Sequence, residues 1–203
     1  MDERVPADAI RRHREVIGPP SDDELIARIE TLEPLPDADN GDPAWLEDAT
    51  WDRAEFLLAA ADAIGERRLV RAIAPLFERA ALGDGNEMMQ GLRHGPERAV
   101  APDWQLLASI MRPLTRHQRA GCRRWAVREL GILRDPQTLD DLVAALGDAE
   151  PLVRSEACTS LGMLSQAALH ARPQIRAYLL ATAERDTSSE VRKQAHRAIE
   201  TIT

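Results

Sequence analysis

Three segments of the chain fall on one frame: Arg123-Arg124-Trp125-Ala126-x3-Leu130-Gly131, Val153-Arg154-x2-Ala157-x3-Leu161-Gly162 and Val191-Arg192-x2-Ala195-x3-Ile199. Their alanines are 31 and 38 residues apart, and Gly65 stands 66 residues ahead of Gly131, which is two units of about 33. A period of that size marks helical-hairpin repeats, each too small to bury its apolar face except against its neighbours. In such a frame Ala126, Ala157 and Ala195 let two helices approach, and the leucine or isoleucine one turn later fills the space beside them. The expected fold is all-α: a right-handed α-solenoid of about four helix pairs over residues 50–203, with an N-terminal helical cap. Composition agrees, since only 3% of residues are aromatic and Ala and Leu supply most of the 44% that are hydrophobic, a balance that favours helix over sheet.

Residues 1–49 are expected to form an N-terminal helical segment: a helix over Ala7–Ile17, a second from Ser21, then an acidic connector from Glu33 to Asp48. Ser21-Asp22-Asp23-Glu24 reads as a capping box, in which the serine hydroxyl takes the Glu24 amide and the glutamate reaches back. Leu25, Ile26, Ile29 and Leu32 then share one stripe. Beyond Ala49 the pattern turns to helix pairs, one helix ending at Ile64-Gly65 and the next marked by Leu69, Val70, Ile73, Leu76 and Phe77. Gly83 to Pro102 holds Gly83, Gly85, Gly91, Gly95 and Pro96 and reads as irregular, apart from a short helix at Glu87–Leu92. It is either a binding loop, with Met88 and Met89 as adaptable contacts, or a degenerate repeat. Helicity resumes over Trp104–Leu114, and Trp104 and Trp125 are expected to fill the core.

The stretch Gly131-Ile-Leu-Arg-Asp-Pro-Gln-Thr-Leu-Asp-Asp-Leu-Val-Ala-Ala-Leu-Gly-Asp-Ala-Glu-Pro-Leu-Val-Arg154 resembles HEAT repeats of the short bacterial kind. It carries the glycine, the Asp-Pro turn, the apolar second helix, the aspartate and the Val-Arg in order. The resemblance is strong over residues 121–200, moderate over 50–82 and absent before 49. It implies a polar ladder between adjacent repeats. Asp148 precedes Arg154 by six positions and Asp186 precedes Arg192 by six, so the expected structural pairs are Asp148 with Arg154 and Asp186 with Arg192. Gln118 stands where an aspartate for Arg124 would be, and the ladder is expected to fail there.

Motifs for chemistry are missing from the sequence: it has no Gly-x-Ser-x-Gly elbow, no phosphate-binding Gly-x4-Gly-Lys loop, no Cys-x2-Cys and no His-Glu-x2-His. His13, His94, His117, His170 and His196 are too dispersed for two to share a helical face as metal ligands. Asp37-Ala-Asp39-Asn40-Gly41-Asp42 is a poor calcium loop, with its glycine at the fifth position and Asp48 at the twelfth. No catalytic residue, metal or cofactor is expected. Cys122 and Cys158 read as buried, reduced thiols in a cytoplasmic protein, and no apolar run is long enough to span a bilayer. Twenty-five of the 26 basic residues are arginine, a skew that reads as the codon bias of a GC-rich bacterial genome.

Charge is unevenly placed. The net charge is −8, which argues against a protein that coats nucleic acid with its whole surface. From Pro19 to Asp62 there are 13 acidic residues against Arg28 and Arg53, whereas Trp104–Arg134 carries Arg112, Arg116, Arg119, Arg123, Arg124, Arg128 and Arg134 against Glu129. Those arginines either pair with the acidic part of the chain or meet an acidic protein or a phosphate backbone. In a solenoid the second helices line the concave face. On them Leu139, Leu142, Val143 and Leu146 are expected to point inward, leaving Asp140, Asp141, Arg172 and Arg176 for a partner, together with Arg67, Arg68 and Arg71 on residues 67–82. The function expected is a non-catalytic adaptor, scaffold or inhibitor that binds another protein, compatible with a bacterial immunity protein or a partner subunit. The alternative is a nucleic-acid binder similar to the HEAT-like alkylpurine DNA glycosylases, using Arg112, Arg116, Arg119, Arg123 and their neighbours up to Arg134. The bilin lyases, which also use short repeats of this kind, have no residue here that selects them.

Overall fold

A computed structural model describes residues 20–36, 48–80 and 87–202, and every regular element among them is helical. The helix expected at 7–17, His13, and the calcium-like run 37–42 lie outside the described residues, as do the side chains of Met88 and Met89. The chain divides into two compact units between Asp103 and Trp104, a division that falls inside the expected 50–203 segment.

In the first unit α1 (Asp22–Thr31) and α3 (Ile73–Arg79) pack together, and so do α2 (Asp48–Arg67) and α4 (Glu87–Val100). The capping box opens α1 as expected: the Glu24 amide reaches Ser21 Oγ at 3.3 Å and the Ser21 amide donates to Glu24 Oε2 at 2.8 Å. Leu25 and Ile29 are buried, and the 2.8 Å bond from the Leu35 amide to the Arg79 carbonyl ties the strand of chain after α1 to the end of α3. The segment read as irregular is corrected here, because residues 87–100 form one helix of 14 residues with Pro96 inside it. Its glycines are contact positions. A Cβ on Gly95 would lie 1.8 Å from the Ala61 carbonyl oxygen, and one on Gly91 would lie 2.7 Å from a Leu58 methyl. Tertiary approach has overridden the poor helix propensity that glycine and proline carry.

The second unit comprises α5 (Trp104–Leu114), α6 (Ala120–Leu133), α7 (Leu139–Ala145), α8 (Pro151–Ala167), α9 (Arg172–Arg185) and α10 (Ser189–Glu200). Helices α6, α8 and α10 carry the repeated frame and stack in a row, α6 on α8 and α8 on α10, while α7 and α9 are the second helices of their pairs. This is a helical solenoid. Ala126, Ala157 and Ala195 are all buried, with Leu130 and Leu161 beside them. Trp125 is fully buried, but Trp104 is 47% exposed at the start of α5, so the core role expected for it does not hold. Cys122 and Cys158 are buried free thiols, and desolvation pushes the Cys158 thiol up to about 12.

The glycine that closes each frame does not end its helix. α2 continues past Gly65 to Arg67 and α6 past Gly131 to Leu133, and the left-handed residues that stop them are Arg68 (φ 54°) and Arg134 (φ 53°). Gly131 serves the stack instead, since a Cβ there would lie 2.4 Å from Ser160 Cβ on α8. At Gly162 the nearest atom would be the Thr201 hydroxyl at 3.2 Å. Three alanine substitutions should therefore separate in chemical denaturation. Gly131→Ala should destabilise by roughly 1–3 kcal/mol through overpacking, Gly95→Ala by more, and Gly162→Ala should be nearly neutral because the gain in helix propensity, up to about 1 kcal/mol, offsets a small shift. Equal effects at all three would show that close approach is not what these glycines provide.

Candidate functional site

The polar residues of the second unit form a repeating contact at the turns that precede α6, α8 and α10. Arg123 donates from Nε and Nη2 to the two carboxylate oxygens of Asp148 at 2.7 and 2.8 Å, and Arg154 does the same to Asp186 at 2.7 and 2.9 Å. The third nitrogen of each guanidinium turns back on its own repeat. Nη1 of Arg123 reaches the carbonyls of His117 and Gln118, both at 3.0 Å, and Nη1 of Arg154 reaches those of Asp148 and Ala149 at 2.9 and 3.1 Å. Arg192 repeats this with Asp186 and Thr187 at 2.7 and 3.2 Å. Each aspartate also accepts the amide two residues on, Glu150 for Asp148 and Ser188 for Asp186, both at 2.8 Å.

These contacts correct the expected pairing. Asp148 and Asp186 give their carboxylates to the arginine of the preceding repeat, Arg123 and Arg154, while from Asp148 Arg154 takes the main-chain carbonyl, as Arg192 does from Asp186. No aspartate stands at the turn before α6, as expected there, but the arginine of the frame is not Arg124. Arg123 is the frame arginine, because it stands three residues before Ala126 as Arg154 does before Ala157. His117 takes the aspartate's place, and its Nδ1 accepts the Arg119 amide at 3.1 Å. Arg124 instead meets Glu156 at 3.4 Å between α6 and α8.

Within the second unit Arg123 and Arg124 are paired and largely buried, whereas Arg116 and Arg134 remain exposed. Arg112 lies 2.7 Å from Asp141 and Arg116 lies 4.0 Å from it. Asp141, expected to face outward, is only 8% exposed and is the buried acceptor of this pair. Arg119 is half-buried beside the His117 turn. In the first unit the arginines expected to face a partner also make contacts within the unit: Arg67 donates to the Pro20 carbonyl at 2.7 Å and lies 3.4 Å from Asp22, Arg68 donates to the Ala101 carbonyl at 3.0 Å, and Arg71, itself exposed, lies 2.6 Å from the exposed Asp23. Arg172 donates to the Ser165 carbonyl at 3.0 Å. Of the residues expected to meet a partner, Asp140 and Arg176 stand exposed, on α7 and α9, without such ties.

In a comparison with protein families, residues 108–200 match the family model described as HEAT repeats. This part of the chain is a HEAT-repeat array. No curated protein matches the sequence. Among the described residues there is no cluster of three or more His, Cys, Asp or Glu placed to hold a metal, and no helix long and apolar enough to cross a membrane.

Within the HEAT-repeat array α9 is the most open helix. It buries only Ile175, Leu179 and Ala183, spaced by four, and leaves Arg176, Tyr178 and Leu180 exposed. At 100° per residue Tyr178 and Leu180 flank the buried stripe on opposite sides, so they are separate contacts. Sequence reading missed both, although the Ile175–Leu179–Ala183 stripe was the signal: of the adjacent Leu179 and Leu180 only one can face the core. It also missed the buried glutamates Glu129 and Glu156, the first within 3.2 Å of Trp125 Nε1.

Two measurements follow from the ladder. A double-mutant cycle on Arg154 and Asp186 should show coupling of about 1.5–3 kcal/mol, the range for hydrogen bonds to charged groups, since the side chains are 11% and 7% exposed. The side-chain cycle on Asp148 and Arg154 should give clearly less. Acid should act through the same groups. The hydrogen bond from Arg154 outweighs burial and lowers the Asp186 pKa; at Asp148 burial pushes the other way, but the bonds from Arg123 and the Glu150 amide prevail and the pKa is again lowered. A carboxylate lowered by folding contributes its stability above the unfolded value of about 4 and loses it as pH falls through the folded value. The melting temperature should therefore fall more steeply below about pH 4 for the native protein than for Asp186→Asn; parallel curves would mean that Asp186 is not linked to folding.

Proposed function

We propose that the protein is a non-catalytic interaction module that binds another protein through the second helices of its HEAT-repeat array, in the manner of an adaptor, scaffold or inhibitor. The observation that carries this reading is the way the charges are spent. Arg112, Arg123 and Arg124 face Asp141, Asp148 and Glu156 within the unit, whereas α9 presents Arg176, Tyr178 and Leu180. Paired arginines release few counterions from a phosphate backbone, so the drive for nucleic-acid binding is small. Aromatic and arginine side chains on an exposed helix are the residue types that anchor protein interfaces. Asp140 on α7 adds an opposite charge, and a mixed surface of this kind suits a protein better than a small apolar substrate.

Affinity capture with the native protein and with an Asp140→Lys, Arg176→Glu variant tests the face. A protein should co-purify with the first and be lost from the second, whose fold is expected to be intact because both side chains are solvent-exposed. In parallel, a random DNA duplex at about 150 mM salt should bind more weakly than about 1 µM. Tighter duplex binding, or capture that ignores the two substitutions, would overturn the reading.

A further inference from the structure

The third arginine of the ladder is bonded differently from the first two. Arg192 is the third arginine of the frame, and its Nη1 is fixed on the Asp186 and Thr187 carbonyls as its counterparts are fixed on theirs. In Arg123 and Arg154 the remaining edge, Nε with Nη2, is closed by the aspartate of the following repeat. Among the described residues no carboxylate meets that edge of Arg192.

The side chains around it tell what kind of group can. By the frame, Cys158 and Gly162 of α8, both buried in the stack, correspond to His196 and Glu200 of α10, both exposed. Large polar groups stand where a closely stacked helix needs small ones, so α10 is not shaped to receive another helix as α8 receives α10. Lys193, His196 and Arg197 are exposed on the same helix. Lys193 lies 3.5 Å from Glu190, and Glu200 is also exposed nearby in sequence. A single carboxylate fits this setting better than a dense run of phosphates, which the two glutamates would repel.

We propose that the open Nε/Nη2 edge of Arg192 is a recognition site for an aspartate of a protein partner, carried on a tight turn as Asp148 and Asp186 are. This rests on the protein-binding reading and names one anchor for it. Two filled copies in the same chain give the chemistry: a carboxylate accepting two parallel N–H bonds, with distances of 2.7–2.9 Å. The site is also preorganised. With Nη1 held by two carbonyls the guanidinium plane is set before any ligand arrives, so little side-chain freedom is lost on binding.

Nuclear magnetic resonance of the arginine Nε–Hε groups tests it on the full chain, with a short synthetic peptide of alternating Asp and Gly as the probe and its Asn counterpart as the control. The Asp peptide should shift the Arg192 signal saturably and leave Arg123 and Arg154, already filled, unchanged. Arg192→Lys keeps a cation for the Asp186 and Thr187 carbonyls but lacks the fork, and should weaken the peptide by roughly fivefold. The proposal is overturned by no shift at Arg192, by an equal shift with the Asn peptide, by unchanged affinity in Arg192→Lys, or by a DNA duplex displacing the peptide more effectively than free peptide does. Apart from displacement by DNA, which would count against both readings, these results leave the capture experiment untouched. A partner held equally by native protein and Arg192→Lys would leave the protein-binding reading standing and remove only this anchor.

Discussion

The second unit depends on how closely α6, α8 and α10 approach one another. Helices stack at short range only where side chains are small, and the frame supplies Ala126, Ala157 and Ala195 with Gly131 and Gly162 at the points of contact. Close approach leaves little apolar area per residue to hold the repeats in register. The arginine and aspartate ladder supplies directional bonds at the turns instead, where each carboxylate joins one repeat to the next and each guanidinium also fastens the turn of its own. Such pairs are costly to desolvate, and those of Arg123 and Arg154 contribute to stability because both edges of each guanidinium are met by partners of good geometry.

That arrangement also places several arginines of an arginine-rich segment against carboxylates of the same unit. Spacing by three or four residues sets arginines on one side of a helix, but whether the side faces solvent is decided by the next helix. Here Asp141, Asp148 and Glu156 come from α7, the turn before α8, and α8 itself. The carboxylates that meet these arginines thus lie 25 to 32 positions away in sequence.

Much of the fold was legible because it is periodic. The capping box at Ser21, the burial of the three frame alanines and the helical pairs after residue 104 follow from local spacing, and the family match over residues 108–200 covers the segment where the resemblance was strongest. The helix at residues 87–100 was hidden because its glycines are explained only by Ala61 and Leu58 on another helix. The ladder partners were misread for a similar reason: a separation of six within one repeat is visible in sequence, whereas the carboxylate pairs span 25 and 32 residues. At the candidate surface the exposure of Asp140 and Arg176 matches the helical stripe, but the burial of Asp141 depended on Arg112, which no local pattern reveals.

The two buried thiols give this array an internal clock. Cys122 lies in α6 and Cys158 in α8, and each is sealed by the stack, the second also held in its unreactive neutral form by burial. A thiol reagent reaches either one only when its own helix opens. Because repeat arrays are joined chiefly through neighbours, opening can start at an end and travel inward. The ratio of labelling rates at the two positions therefore reports whether the repeats come apart together or one after another.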